Sequence, residues 1–122
     1  MISWIWVGVG VLGGLGSVAR MVVDRAVSRI SRNSLPVGTL AVNLTGGTLL
    51  GVLAGGSFGP NTVLLLGAGF LGGYTTFSTW MFETERLARE GAPRLAALNL
   101  ALPATLGFAA TGLGWLLGAT LA

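Results

Sequence analysis

Cysteine, histidine and lysine are all absent from this 122-residue chain, so its seven cations are all arginines. Without cysteine there is no disulfide and no thiol chemistry. Without histidine the usual transition-metal ligands are missing, and a Ser-His-Asp hydrolase is excluded. Charge of either sign is scarce. Charged residues make up 9% of the chain, against about 25% in an ordinary soluble domain. A soluble fold of this size could not cover its surface with four acidic and seven basic side chains, whereas lipid solvates an apolar exterior directly. What the chain has in abundance fits that reading: 52% of it is apolar and 21 residues are glycine. One domain, residues 1–122, is all this length supports.

The pI of about 11.2 does not point to nucleic acid. The arginines are confined to Arg20–Arg32 and Arg86–Arg94, at the edges of apolar runs, as in the loops of membrane proteins. A membrane helix needs about 20 mostly apolar residues, and four such spans can be drawn, at about 4–23, 36–55, 61–82 and 95–120. The first carries Trp4 and Trp6 at its start, where indoles favour the interface, and lacks the positive n-region of a cleavable signal, so it reads as a retained span. A loop is expected over Asp24–Asn33, and Asn33-Ser34-Leu35-Pro36 reads as a capped helix start. From Asn33 to Phe82 there is no charge, and the turn formers Gly55–Asn61 divide that run in two. Glu83 to Pro93 is the next polar connection, and Pro103 is expected to kink the last span.

Small-xxx-small pairs recur at Gly10/Gly14, Gly47/Gly51/Gly55, Gly69/Gly73 and Gly114/Gly118. In lipid these let helix backbones approach closely, and their density predicts an oligomer. Gly8-Val-Gly10-Val-Leu-Gly13 matches the dinucleotide pattern only by coincidence, since it lies within an apolar span with no βαβ unit.

Polar side chains inside a span need a partner, a cavity or a function. Thr39 and Asn43 share a helix face with Gly46 and Gly47. Asn43 is then either interhelical glue or an amide lining a water-filled path. The third span reads Gly69-Phe-Leu-Gly-Gly-Tyr-Thr-Thr-Phe-Ser-Thr-Trp80. Two glycines followed by threonines propagate a helix poorly, so an unwound segment is expected there. Such backbone is tolerated only inside protein or along a cavity, where freed carbonyls can meet a cation. Phe77 and Trp80 follow on one face, and an aromatic edge can face an anion without trapping it.

These residues together resemble the Fluc (CrcB) family of fluoride channels. The matching pieces are Gly13-Gly14 with Arg20, Gly38-Thr39-Leu-Ala-Val-Asn43, and Gly69 through Thr79 leading to Glu83. The resemblance implies an all-α integral membrane protein of four transmembrane helices, the third broken, assembling as an antiparallel dimer. It implies passive fluoride export and a structural sodium ion at the dimer interface, held by the carbonyls of Gly72 and Thr75. Asn43 would be the pore amide, Phe77 a pore aromatic, Ser78 and Thr79 hydroxyls along the path with Thr39, and Arg20 part of an anion-attracting vestibule. Two departures stand out. Trp80 occupies a position that is usually phenylalanine, and Thr105 and Thr111 do not match the fourth-span hydroxyl spacing cleanly.

With four spans, every arginine falls on the side of the loops after spans one and three, which places both termini outside the cytoplasm of the cell (inner) membrane. An antiparallel homodimer requires a subunit that inserts both ways, and this charge bias opposes that. A heterodimer with a homologous subunit of opposite bias is therefore expected, with a homodimer as the simpler alternative. A small multidrug-type transporter would need a mid-depth carboxylate, which the first three spans lack. A non-conducting assembly subunit would explain the glycines but not the hydroxyl-rich break. No nucleophile–base pair is present, so an enzyme is not expected.

Overall fold

A computed structural model describes residues 2–31 and 35–122, and every regular element among them is helical. Helix α1 spans Ile2–Ile30 and α2 spans Val37–Gly55. A helical run over 60–74, here α3, opens as a turn at Pro60–Thr62, widens into a π-helix at Val63–Leu71 and closes at Gly72–Tyr74. After a break at residues 75–77 come α4, Ser78–Arg89, and α5, Pro93–Leu121. Among the described residues, three helices are long and apolar enough to cross a membrane: α1 from Trp4, α2 and α5. The broken α3–α4 stretch is not one such helix.

The expected loop at Asp24–Asn33 is helical as far as Ile30. No glycine or proline occurs from Ser17 to Leu35 to stop the helix, and Arg29 in its last turn suits the negative end of the helix dipole. At 29 residues α1 is about 44 Å long, more than the ~30 Å of a hydrocarbon core. Its charged end therefore has length to spare. The capping expected from Asn33 and Ser34 lies outside the described residues, and α2 itself begins after Pro36.

The polar connection expected from Glu83 onward is likewise helical up to Arg89. It ends at Gly91, whose φ of 80° is the left-handed conformation that favours glycine. The Ala92 and Gly91 amides donate back to the Leu87 and Ala88 carbonyls, at 2.9 and 3.3 Å. Pro93 then opens α5, which passes through Pro103 without interruption.

Close approaches reveal how the elements run. Along α2 and α5, a β-carbon on Gly51 would overlap the Thr111 carbonyl, one on Gly55 the Trp115 carbonyl, and one on Gly114 the Thr48 carbonyl. The paired numbers rise together, so α2 and α5 are parallel. The same holds for α1 and α3, where Gly8 faces Leu65 and Gly73 meets Gly13. By contrast α3 and α2 are antiparallel, with Gly67 beside Leu50 and Leu53 and Thr45 bonded to Tyr74. The glycine pairs 47/51/55, 69/73 and 114/118 thus serve packing within this chain. Gly10 and Gly14 face open space.

The core is small: Val42, Leu53, Leu71 and Tyr74, with Ala19, Val23 and Phe70 against it. Val11, Val18, Leu113 and Leu116 point outward. Packing at the backbone level, with apolar side chains left for lipid, is the arrangement expected when lipid removes the hydrophobic drive between helices.

The α2–α5 contact yields a prediction. Gly114→Val puts a side chain onto the Thr48 carbonyl and should cost about 2 kcal/mol or more, read as a lower thermal midpoint in detergent. Gly112→Ala, which meets nothing within 4 Å, should leave the midpoint unchanged or raise it, since alanine favours helix.

Candidate functional site

The break between α3 and α4 is shifted from where the glycines suggest. Gly72 and Gly73 remain helical, and the chain leaves the helix at Thr75, which is extended with ψ 156°. Thr75 marks the end of the helix by bonding twice to the Leu71 carbonyl, through its amide and its hydroxyl, both at 2.9 Å. Thr76 is then held from another helix. Its amide donates to Asn43 Oδ1 at 2.9 Å, and Asn43 Nδ2 donates to its carbonyl at 2.8 Å. One side-chain amide on α2 thus replaces two backbone partners. Asn43 is interhelical glue by this geometry, and it also lines a cleft.

The break frees particular carbonyls. In an α-helix the Gly72 carbonyl would accept from the Thr76 amide, but that amide goes to Asn43. The Thr75 carbonyl would accept from the Thr79 amide, which instead donates to the Thr76 hydroxyl at 3.2 Å. The carbonyls of Gly72 and Thr75 therefore both lose their i+4 donor. Between them, the Gly73 carbonyl accepts from Ser17 Oγ at 3.3 Å and from Arg20 Nε at 3.4 Å. Among the described residues no group of three acidic, histidine or cysteine side chains could hold a metal. A cation here would depend on backbone oxygen, which suits a hard ion.

Two spaces flank Thr76. The first is an open cleft of about 450 Å³, walled by Asn43, Thr75, Thr76, Phe77 and Trp80 on one side and by α5 from Pro103 to Thr111 on the other. Phe77 and Trp80 meet edge to face here, with ring centroids 5.7 Å apart and planes at 88°. Phe77 is 69% exposed, so its other face is left uncovered by this chain. The second is a narrow polar pocket lined by Arg20, Asp24, Thr39, Val42, Thr76 and Thr79. Thr39 is buried, and its hydroxyl faces the Glu83 carboxylate, although among the described residues neither that hydroxyl nor Glu83 Oε1 closes a full hydrogen bond.

The residues singled out by sequence therefore divide. Asn43, Phe77 and Trp80 stand on the cleft, while Arg20, Thr39 and Thr79 line the inner pocket. Thr39 and Asn43, expected on one shared face, open onto different spaces. Ser78 is exposed and lines neither, its hydroxyl 3.5 Å from that of Thr76. Of the two fourth-span threonines, Thr111 lines the cleft, whereas the Thr105 hydroxyl is exposed and turned back onto the Ala101 carbonyl. Thr76, which borders both spaces, is not among the site residues expected from sequence; its position three residues past the glycine pair is the available signal.

Comparison with known proteins bears on this arrangement. The family model described as "CrcB-like protein, Camphor Resistance (CrcB)" matches residues 7–115. The chain belongs to the CrcB family. Among relatives, "Fluoride-specific ion channel FluC 2" of Mycobacterium bovis is 50% identical over 110 residues, 90% of this chain and 87% of the relative. "Fluoride-specific ion channel FluC 1" of Symbiobacterium thermophilum is 44% identical over 93% of this chain and 96% of its own length. "Fluoride-specific ion channel FluC 2" of Moorella thermoacetica is 40% identical over 98% of each. Membership of this family, with three membrane-length apolar helices, makes the chain a multi-pass membrane protein and not an enzyme.

The Asn43–Thr76 pair can be tested directly. Asn43→Ala strands the half-buried amide and carbonyl of Thr76 and should destabilise the protein by about 1–2 kcal/mol. Asn43→Asp keeps the acceptor for the Thr76 amide and loses the donor. Hydrogen exchange at Thr76 should therefore accelerate in the alanine variant and stay slow in the aspartate variant.

Proposed function

We propose that this chain is a subunit of a passive fluoride-selective channel that exports the anion across the cell membrane. The observation that carries the reading is identity of up to 50% with fluoride-specific ion channels, over nearly their whole length. The placement of the polar residues supports it. Arg20 and the hydroxyls of Thr39 and Thr79 gather at one pocket, Asn43 and the two aromatics at the adjoining cleft, and Thr76 stands between. An anion drawn in by the Arg20 guanidinium would meet hydroxyl and amide donors, then aromatic edges. Each contact is weak enough to release it, as conduction requires. Ser78, exposed beside Thr76, joins the path only if a second subunit covers it.

The broken α3–α4 stretch is the fourth crossing in this reading. Since α2 and α5 are parallel, the chain between them has to return across the bilayer once. Its interruption falls where side chains rather than lipid meet the free backbone. The antiparallel dimer is supported by the uncovered faces of Phe77 and Phe108, 69% and 84% exposed beside the cleft. The carbonyls of Gly72 and Thr75, deprived of their helical donors, are the residues that would hold a structural sodium ion at the interface. That ion would fix the break in place.

The charge bias makes the partner a homologous subunit of opposite orientation, with this chain's termini outside the cytoplasm. The numerals 1 and 2 in the relatives' names fit paired subunits. Reconstituted into liposomes with such a partner, the chain should release fluoride rapidly and chloride not at all. This chain alone should release little. Replacing sodium by a bulky organic cation should slow fluoride release. Equal fluoride and chloride leakage would sink the channel reading, and rapid efflux from this chain alone would sink the heterodimer.

A further inference from the structure

Helix α5 contains an acceptor that it cannot satisfy by itself. Pro103 has no amide hydrogen, so the carbonyl of Asn99, four residues earlier, lacks its helical donor. Asn99 is only 2% exposed, and a buried carbonyl requires some partner. The partner comes from α4: the Trp80 indole Nε1–H donates to the Asn99 carbonyl at 2.6 Å. The Asn99 side chain then closes a ring. Its Nδ2 donates to the Thr84 hydroxyl at 2.8 Å, and that hydroxyl donates to the Trp80 carbonyl at 2.9 Å. Trp80, Thr84 and Asn99 are thereby joined through three hydrogen bonds.

We infer that Trp80 is a positioning residue that works as a unit with Pro103. Pro103 opens a gap in the backbone bonding of α5, and the indole N–H fills it. This fixes the indole as a wall of the cleft, which Pro103 lines as well. Phe77 rests edge to face on that indole, so its pose over the cleft depends on the same bond. Phenylalanine at position 80 has no N–H and would leave the Asn99 carbonyl unpaired. The tryptophan is thus matched to the proline, and the phenylalanine usual at this place in the Fluc family would suit an α5 whose carbonyl is satisfied otherwise. The effect on conduction rests on the fluoride-channel reading, while the bond itself does not.

The test is a double-mutant cycle with a spectroscopic arm. With 15N-labelled tryptophan in micelles, the chain's four indoles give four N–H signals, and Trp80→Phe identifies the Trp80 signal by its loss. Pro103→Ala supplies an amide to the Asn99 carbonyl, so the Trp80 signal should move upfield toward the others. In liposomes, with the partner subunit present, Trp80→Phe should cut fluoride efflux about fivefold and the Trp80→Phe/Pro103→Ala pair should recover to within about twofold, the non-additivity of coupled sites. An unshifted Trp80 signal in Pro103→Ala, or equal losses from Trp80→Phe with and without the proline, overturns the inference. If Trp80→Phe does not fold, the remaining three signals are matched by single substitutions of the other tryptophans, and the Pro103→Ala spectrum decides. A native protein that conducts no fluoride defeats the channel reading alone, since the indole shift still reads the bond.

Discussion

The structure depends on finding partners for the backbone of Thr76. A helix that stops inside an apolar bundle exposes amides and carbonyls that lipid cannot satisfy, at several kcal/mol for each. Asn43 supplies both partners from a neighbouring helix, with the two ends of one amide. Because those bonds are made from α2, the amide of Thr76 no longer serves α3, and the Gly72 carbonyl is left for something else. The Thr76 hydroxyl repeats the exchange with the Thr79 amide. The break is therefore a set of side-chain substitutions for backbone bonds, each leaving a carbonyl free.

Glycine makes that exchange possible at a distance. Asn43 reaches Thr76 only because α2 lies close to α3, where Gly46 packs under the Thr75 and Tyr74 side chains. The α2–α5 contact is closer still, with backbone against backbone at Gly51, Gly55, Gly114 and Gly118. Short side chains here do the work that large apolar ones do in a soluble core. The bulky residues are left on the outside, where a bilayer solvates them.

Much of this was legible in the sequence. The scarcity of charge announced a membrane protein, the glycine pairs announced close helices, and Gly72–Thr79 announced an interruption. What was not legible follows from physics that single residues do not carry. Helix α1 outruns its apolar stretch as far as Ile30 because no glycine or proline lies between Ser17 and Leu35, and α4 continues through its charged residues to Arg89, just before Gly91. The break came after the glycines, at Thr75, since its position was decided by the reach of Asn43 from α2. The π-helical register of Val63–Leu71 leaves no mark in the apolar pattern. In the sequence Trp80 is only a departure from a family pattern; the carbonyl freed by Pro103, which its indole bonds, lies 19 residues away along the chain and meets it only in the fold.

The two sides of the break have different attachments. Helix α3 is seated on α1 through Gly69 and Gly73, and α4 is tied to α5 through the Trp80–Asn99 bond and the three-residue connection that turns at Gly91. The two halves are bridged by α2, which presses on α5 at Gly51 and Gly55, on α1 at Gly38 and on α3 at Thr45 and Gly46, and residues 75–77 are the seam between them, with Asn43 as one of its ties. A passage built along a seam changes width with small displacements that would leave each half intact.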